Sequence, residues 1–394
     1  MKILCISNFY PPYFEGGYEI SIQQSMDYLV EHGHKVFVLC GNRGVQIHSD
    51  IPLGFTNDRI QRLYHYIDYS HASFLNKHQV EKHNYHLTLT AIKLLKPDLI
   101  YFGSLKAISI APALAVQNQR IPRIYDIGDD WLRSYLGTGL KSTLFRFLKR
   151  ILPFTIGGNV ILDPVLVPSR WMADELQSRY HSQSIHIIPR AVALPPFQRT
   201  IVQPLRFVFA GRIEPLKGLD ILVEAIRLLK PKYPEFSVDL YGSEDPDYVI
   251  ALKAKISSFD LQPSFHFKGK CQDMNAMLSS YDVLLMPTMA RETFGRVIIE
   301  AMAAGLIVIA TNAYGPAEII SDRVDSLLFE RADPVALAAC IEELISAPIE
   351  HIRKLGNAAR AKVASQYEIS LVKKGIGIIL DSEVQKQRTL RGKA

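Results

Sequence analysis

Short apolar runs alternate along this chain with stretches of helical periodicity. Lys2–Asn8, Lys35–Cys40, Leu99–Phe102, Arg123–Asp126 and Leu162–Pro168 each read as a buried strand. Between the first two lies Tyr18–Glu31. Its apolar residues Ile20, Ile22, Met26, Leu29 and Val30 recur at helical spacing, and Gly33 is a helix stop. Strand, glycine-bearing loop, helix and strand make the βαβ unit of a parallel sheet. The pattern restarts with strands at Arg206–Ala210, Ser237–Tyr241, Ser264–Phe267, Val283–Met286 and Leu306–Ala310. Leu219–Lys230 carries Leu219, Leu222, Val223, Ile226 and Leu229 on one stripe and predicts an amphipathic helix. Pro189, Pro195, Pro196 and Pro204 crowd the junction as a linker would. The pattern predicts two α/β domains, 1–195 and 205–365, in keeping with a length of 394 residues. Functional groups are then expected in the loops just after the strands, because parallel sheets bind ligands at their carboxyl ends.

Composition narrows the class. With 48% apolar and 21% charged residues, the chain is globular and not disordered. The longest weakly interrupted apolar run, Val297–Ala310, contains Glu300 and falls short of the roughly 18 residues a spanning helix needs. Met1–Ser7 has the shape of a first strand and not of a signal peptide. Cys5, Cys40, Cys271 and Cys340 show no C-x-x-C spacing, which points to a reducing, cytoplasmic setting. The net charge of +6 is uneven, residues 1–195 holding 20 basic and 15 acidic side chains. From Trp131 to Leu162 there is no acidic residue. Arg133, Lys141, Arg146, Lys149 and Arg150 interleave there with Leu140, Leu144, Phe147, Leu148 and Ile151. This is the pattern of a basic amphipathic helix suited to an anionic membrane surface; packing on its own domain is the ordinary alternative. No aromatic–basic stripe or base-reading motif suggests nucleic acid.

Three segments carry chemistry. Gly211-Arg212-Ile213-Glu214-Pro215-Leu216-Lys217-Gly218 follows a strand and opens the Leu219 helix. Two cations and free backbone amides at that place suit a phosphate, although the spacing is not that of a Walker A loop. In Arg291-Glu292-Thr293-Phe294-Gly295-Arg296, Phe294-Gly295 marks a helix start. Glu292 then lies in the preceding loop and Glu300 two turns into the helix, among apolar neighbours. A carboxylate so placed needs hydrogen-bond donors, and ligand hydroxyls are one source. Glu15-Gly16-Gly17-Tyr18 lets backbone approach a ligand closely, but it lacks the G-x-G-x-x-G spacing of a dinucleotide site.

Gly-Arg-x4-Lys-Gly, the Glu292-x7-Glu300 segment with Ala301-Met302-Ala303-Ala304-Gly305, and Gly315-Pro316-Ala317-Glu318 together resemble glycosyltransferase family 4. The likeness extends to Gly16-Gly17, to Gly33-His34-Lys35-Val36 and to the proline-rich junction, and so covers almost the whole chain. It implies the GT-B architecture: two facing Rossmann-like domains with parallel sheets and an interdomain cleft, with a final helix at about 366–394 crossing back to the first domain. It also implies retaining, metal-independent transfer of a sugar from a nucleotide-diphosphate sugar to a glycan, lipid-linked or small-molecule acceptor, with no cofactor. By position, Arg212 and Lys217 would hold the donor diphosphate, Glu292 would face the donor sugar, and Glu300 would bind the ribose. Backbone at Phe294, Gly295, Gly16 and Gly17 would contribute further donor contacts. A lipid-linked acceptor would place the protein at the inner face of a membrane, through residues 131–162.

The chain departs from the family pattern at three places. Where many relatives have His-Asp it reads Ile127-Gly128-Asp129-Asp130, leaving Asp129 as an acceptor-side group or a helix cap. Pro189-Arg190-Ala191-Val192 replaces Pro-Asn-Gly-Val, making Arg190 a second acceptor-side candidate. Tyr314 stands where relatives often have glycine, which would alter the donor-sugar pocket. Other readings are a nucleotide-sugar epimerase or phosphorylase of the same architecture, and a binding scaffold. Asp245-Pro246-Asp247 and the His78, His83, His86 spacing mimic metal motifs, but helix-surface roles fit both better.

Overall fold

The computed structural model describes residues 1–14, 16–42, 59–66, 73–129, 131–132, 160–196, 201 and 203–392. The chain divides into two compact units, one of residues 1–188 with 373–394 and the other of residues 189–372.

Unit 1 is built on seven parallel strands. They are β1 (Lys2–Ser7), β2 (Lys35–Gly41), β3 (Ile60–Tyr64), β4 (Leu99–Phe102), β5 (Arg123–Asp126), β6 (Val165–Val167) and β7 (Ile185–Ile187), in the order β3-β2-β1-β4-β5-β6-β7. The order reverses between β1 and β4, which sets the topological switch point. Side chains alternate across the sheet, so each face has its own core. Leu4, Ile6, Leu39, Ile100 and Phe102 pack on one side. Ile3, Cys5, Val36, Val38, Leu99 and Tyr101 pack on the other. Among the described residues the connecting helices are α1 (Gly17–Glu31), α2 (Phe74–Leu95), α3 (Ala111–Gln117) and α4 (Arg170–Tyr180). The last helix of the chain, Ile369–Gly392, lays Ile376, Leu380 and Val384 into the second of these cores. Gln387 exchanges two hydrogen bonds of 3.1 Å with the Arg123 backbone, and Glu383 stands 3.1 Å from His186.

Unit 2 has six parallel strands. They are β8 (Phe207–Ala210), β9 (Val238–Tyr241), β10 (Phe265–Gly269), β11 (Val283–Met286), β12 (Ile307–Thr311) and β13 (Leu327–Phe329), in the order β10-β9-β8-β11-β12-β13. Phe207, Phe209, Val283, Leu285, Ile307 and Ile309 face one core. Val208, Ala210, Leu284, Met286, Val308 and Ala310 face the other. This double burial is why the strands read as continuous apolar runs. The helices are α5 (Leu219–Leu229), α6 (Pro246–Ser258), α7 (Met274–Leu278), α8 (Arg296–Ala303), α9 (Tyr314–Ile319), α10 (Pro334–Ser346) and α11 (Ile349–Gln366), with Ile369–Gly392 following as α12. Two backbone contacts tie the first residues of this unit to its last: Val192 N donates to Tyr367 O at 3.0 Å, and Val192 pairs with Glu368.

Together the units are the two Rossmann-like, all-parallel domains of the GT-B class. Among the described residues, no helix is long and apolar enough to cross a membrane. The basic stretch Arg133–Ile151 lies outside the described residues. At its edges Trp131, Leu132 and Leu162 are buried in the core of unit 1.

Candidate active site

In unit 2 the order reverses between β8 and β11, and the two charged segments follow those two strands. After β8 the chain makes a single tight turn at Pro215–Lys217 and enters α5 through Gly218. Gly218 has a φ of +74°, and a β-carbon there would stand 1.8 Å from the Pro287 carbonyl oxygen. Glycine is therefore needed both for its conformation and for close approach. The backbone amides of Met289 and Ala290 donate to Leu216 O at 2.8 and 2.9 Å, joining the β11 loop to the β8 loop.

That junction sets Lys217 Nζ 2.9 Å from Glu292 Oε2, with both side chains about one-fifth exposed. Arg212 pairs with Glu214 of its own loop at 2.9 Å and is 60% exposed, so its guanidinium can turn to an incoming anion. Phe294 is buried, its ring edge-on to Tyr367 at a centroid distance of 5.8 Å. What Phe294 and Gly295 can offer a ligand is thus backbone.

Glu300 lies on α8 beside Arg296, Oε1 and Nε 3.0 Å apart, with side chains 16% and 14% exposed. Burial pushes the Glu300 carboxyl up, and Arg296 opposes the rise. Burial lowers Arg296; the Glu300 charge offsets this, and Arg190 adds to the lowering. The i,i+4 spacing of Arg296 and Glu300 is visible in the sequence, and it supplies a protein partner beside the ligand hydroxyls that were one expected source. Arg190 is nearly buried, and its charge acts on Arg296 within unit 2.

Gly315, Arg291 and Tyr314 complete this edge. Gly315 N donates to Glu292 O at 3.0 Å. The Tyr314 ring has the Arg291 and Arg331 guanidiniums each 5.8 Å from its centroid. Sequence reasoning flagged the tyrosine but not its two cations, since Arg331 comes from the loop after β13, a strand that was not anticipated.

In unit 1 the residues singled out gather at the carboxyl edge of the sheet. Gly16 caps α1, its amide donating to Glu19 Oε2 at 3.1 Å, and Gly17 is the first helical residue. Tyr18 OH donates to the Asp126 carbonyl, which ties the glycine loop to the end of β5. Tyr101 OH donates to Asp126 Oδ2 at 2.7 Å. Half-buried Asp129 follows three residues later. The tyrosine–aspartate link was not anticipated.

The metal-like motifs have structural employment. Asp245 caps α6 by accepting from Tyr248 N at 3.2 Å. His83 stacks on His65 at 3.8 Å. Among the described residues, no cluster of His, Cys, Asp or Glu could hold a metal ion.

Two family models match: Glycosyltransferase Family 4 over residues 15–194 and Glycosyl transferases group 1 over residues 196–362. A D-inositol 3-phosphate glycosyltransferase of Paenarthrobacter aurescens is 30% identical over 44% of this chain and 46% of its own length. A phosphatidyl-myo-inositol mannosyltransferase of Propionibacterium freudenreichii is 26% identical over 64% of this chain and 63% of its own. The chain thus matches 46% and 63% of the lengths of these two relatives. The crystal structure of Anabaena HepE in complex with UDP and glucose superposes with a TM-score of 0.72 at 19% identity, over 97% of this chain and all of that one. With both halves matched in order and the double parallel-sheet fold in place, the chain belongs to the family 4-type glycosyltransferases of the GT-B fold.

Proposed function

We propose that the protein transfers a sugar, with retention of anomeric configuration and without a metal, from a nucleotide-diphosphate sugar to a saccharide or lipid-linked acceptor. The observation that carries this reading is the Lys217–Glu292 pair at the switch point of unit 2, with Arg212 on the same loop. Bond breaking puts negative charge on the departing diphosphate, and cations already in place stabilise it without reorganisation. Lys217 and Arg212 would meet that charge, Glu292 would accept hydrogen bonds from donor-sugar hydroxyls, and Glu300 would take the ribose. In the front-face route the bond from the sugar C1 to the phosphate oxygen breaks as the bond to the acceptor oxygen forms. The acceptor proton passes to the phosphate, so no protein nucleophile is required. At the carboxyl edge of the unit 1 sheet, the Gly16-Gly17 loop and Asp129 are the groups offered for donor backbone contacts and for the acceptor. HepE's complex with UDP makes uridine diphosphate sugars the first donors to try, and the mannosyltransferase relative makes mannose one sugar to test.

The test is thermal-shift screening against uridine, guanosine and adenosine diphosphate sugars, followed by donor turnover in the presence of a chelator. A rise in melting temperature with one base, slow sugar release and an anomer retained by NMR support the proposal. Epimerised donor, inverted product or loss of turnover on chelation would each overturn part of it. A lipid-linked acceptor would give residues 131–162 their use, and salt-sensitive binding to anionic vesicles is its check.

A further inference from the structure

Tyr13 stands in the turn that follows β1, at the carboxyl edge of the unit 1 sheet. Tyr13 N donates to Tyr10 O at 3.3 Å and closes the turn, and Tyr10 is buried in the core below. Arg62 reaches the turn from β3, two strands away. Its Nη1 donates to Tyr10 O and its Nη2 to Pro11 O, each at 2.8 Å. The same guanidinium lies over the Tyr13 ring, Cζ 5.1 Å from the centroid. One face of the ring is thus seated on a cation that the backbone of the turn holds in place. The ring is nevertheless 49% exposed, which leaves its other face open. Fixing an exposed side chain costs rotamer entropy, and a ligand that stacks on it binds more tightly because the fold has already met that cost. The Arg62 charge is directed at the two carbonyls, so the turn presents outward an uncharged plane with a phenol hydroxyl at its rim. A neutral hexopyranose has the matching shape: the axial C–H groups of one face form an apolar plane, and the equatorial hydroxyls lie around its edge. A lipid interface would gain nothing from a ring held still. The platform is also continuous with the loop already described, since Gly16 follows Tyr13 by three residues.

We propose that Tyr13 is an acceptor-specificity residue whose open face stacks the terminal hexopyranose of a saccharide acceptor, one with an uninterrupted face of axial C–H groups. Arg62 is the positioning residue that holds the ring. This rests on the transfer reading above and chooses among the acceptors which that reading leaves open.

The experiment is saturation-transfer NMR on the full chain with methyl β-D-glucopyranoside, and with methyl α-D-mannopyranoside, whose axial oxygens interrupt both faces. Wild type, Tyr13→Phe, Tyr13→Leu, Phe14→Ala, Arg62→Gln and the Tyr13→Leu, Arg62→Gln double variant are compared, each checked for an unchanged melting temperature. Tyr13 is exposed, so its variants guard against misfolding at half-buried Arg62. Wild type and Tyr13→Phe should receive the glucoside with saturation concentrated on H1, H3 and H5, and should bind the mannoside more weakly. Tyr13→Leu keeps apolar bulk but loses the plane, and should lose roughly tenfold in glucoside affinity. Arg62→Gln should weaken binding too, with no further loss in the double variant, whereas a merely structural arginine would add its loss to that of the leucine. Wild-type affinity in Tyr13→Leu, equal binding of the two glycosides, or additive losses would overturn the proposal. So would absence of glycoside binding together with attachment to phosphatidylglycerol vesicles that falls equally in Tyr13→Leu and Phe14→Ala, an outcome that makes the loop a membrane contact. Melting shifts with UDP-, GDP- and ADP-glucose on the same wild-type samples separate the two readings. A donor shift without glycoside binding overturns this inference alone, and no shift with any donor overturns the donor site instead.

Discussion

Lys217 Nζ and Glu292 Oε2 lie 2.9 Å apart although 75 residues separate them in the chain. The pair exists because one loop follows β8, the other follows β11, and these strands are neighbours. The lysine proposed for the diphosphate and the carboxylate proposed for the sugar thus hold each other in place before any donor arrives, a preorganisation that costs nothing at the moment of reaction.

Arg212→Ala and Lys217→Ala are expected to lower kcat as well as donor affinity, because their charge is needed most as the diphosphate leaves. Loss of one such group is expected to cost about 3 kcal/mol, or roughly 100-fold in turnover. Lys217→Ala should be the more severe, since it also releases Glu292. Steady-state kinetics on folded variants decide this; wild-type turnover in both would misplace the site.

Glu292→Gln and Glu300→Gln should differ in kind. On the proposed roles the first faces the reacting sugar, and its loss should lower kcat at saturating donor. The second is assigned to the ribose, which does not change during the reaction, and its loss should act through donor affinity. The reverse pattern would exchange the two roles.

The raised carboxyl of Glu300 has a pH signature. A carboxyl raised in the folded protein binds more protons there than in the unfolded chain. Its contribution to stability is therefore largest at low pH and declines as pH climbs from the ordinary glutamate range through the raised value. Donor affinity should move the opposite way over that window, because the ionised form is the acceptor for hydroxyls. Melting and binding measured against pH should show both slopes in wild type and neither in Glu300→Gln; parallel curves for the two proteins would refute the assignment.

Gly218→Ala should destabilise unit 2 by about 2–4 kcal/mol, since it forces a β-carbon into the Pro287 carbonyl and a side chain into left-handed backbone. The displaced loop carries Lys217, so donor binding should weaken in the same variant. A melting temperature equal to wild type would contradict the close approach.

A fragment of residues 189–372 is expected to melt several degrees above one of residues 205–365. The shorter piece loses the Val192–Tyr367 bond and the 2.8 Å bond from Arg360 Nη2 to Pro195 O. It also loses Tyr367, which covers Phe294 beside Glu292. Equal melting temperatures would show that these contacts add nothing.

The parts legible from sequence were those with strong local signals. Strands buried on both faces, such as β8 and β11, are unbroken apolar runs, and α5 carries its stripe openly. Strands β3 and β7 were missed because Ile60–Tyr64 is half polar and Ile185–Ile187 is three residues long with a histidine at its centre. They are sheet-edge strands held by a single neighbour, and their order comes from pairing that no local window contains. The cation loop and the two glutamates stood out by residue type and spacing. The pairings between them did not: Lys217 with Glu292, Arg190 near Arg296, and Tyr314 with Arg331 all depend on which strands lie side by side.

Helix α12 bears on the order in which the chain becomes stable during synthesis. Unit 2 is continuous in sequence and is complete once residue 372 has emerged, whereas unit 1 must wait for residues 373–394. Until then Ile3, Cys5, Ile22 and Met26 lack the cover of Ile376, Leu380 and Val384. Lys373 has not reached the Gln24 carbonyl, nor Glu383 His186. The half made first is therefore finished last. A nascent chain stalled at residue 372 would present an open apolar face on its oldest segment, and a ribosome-associated holding chaperone is expected to engage it there until the final helix arrives.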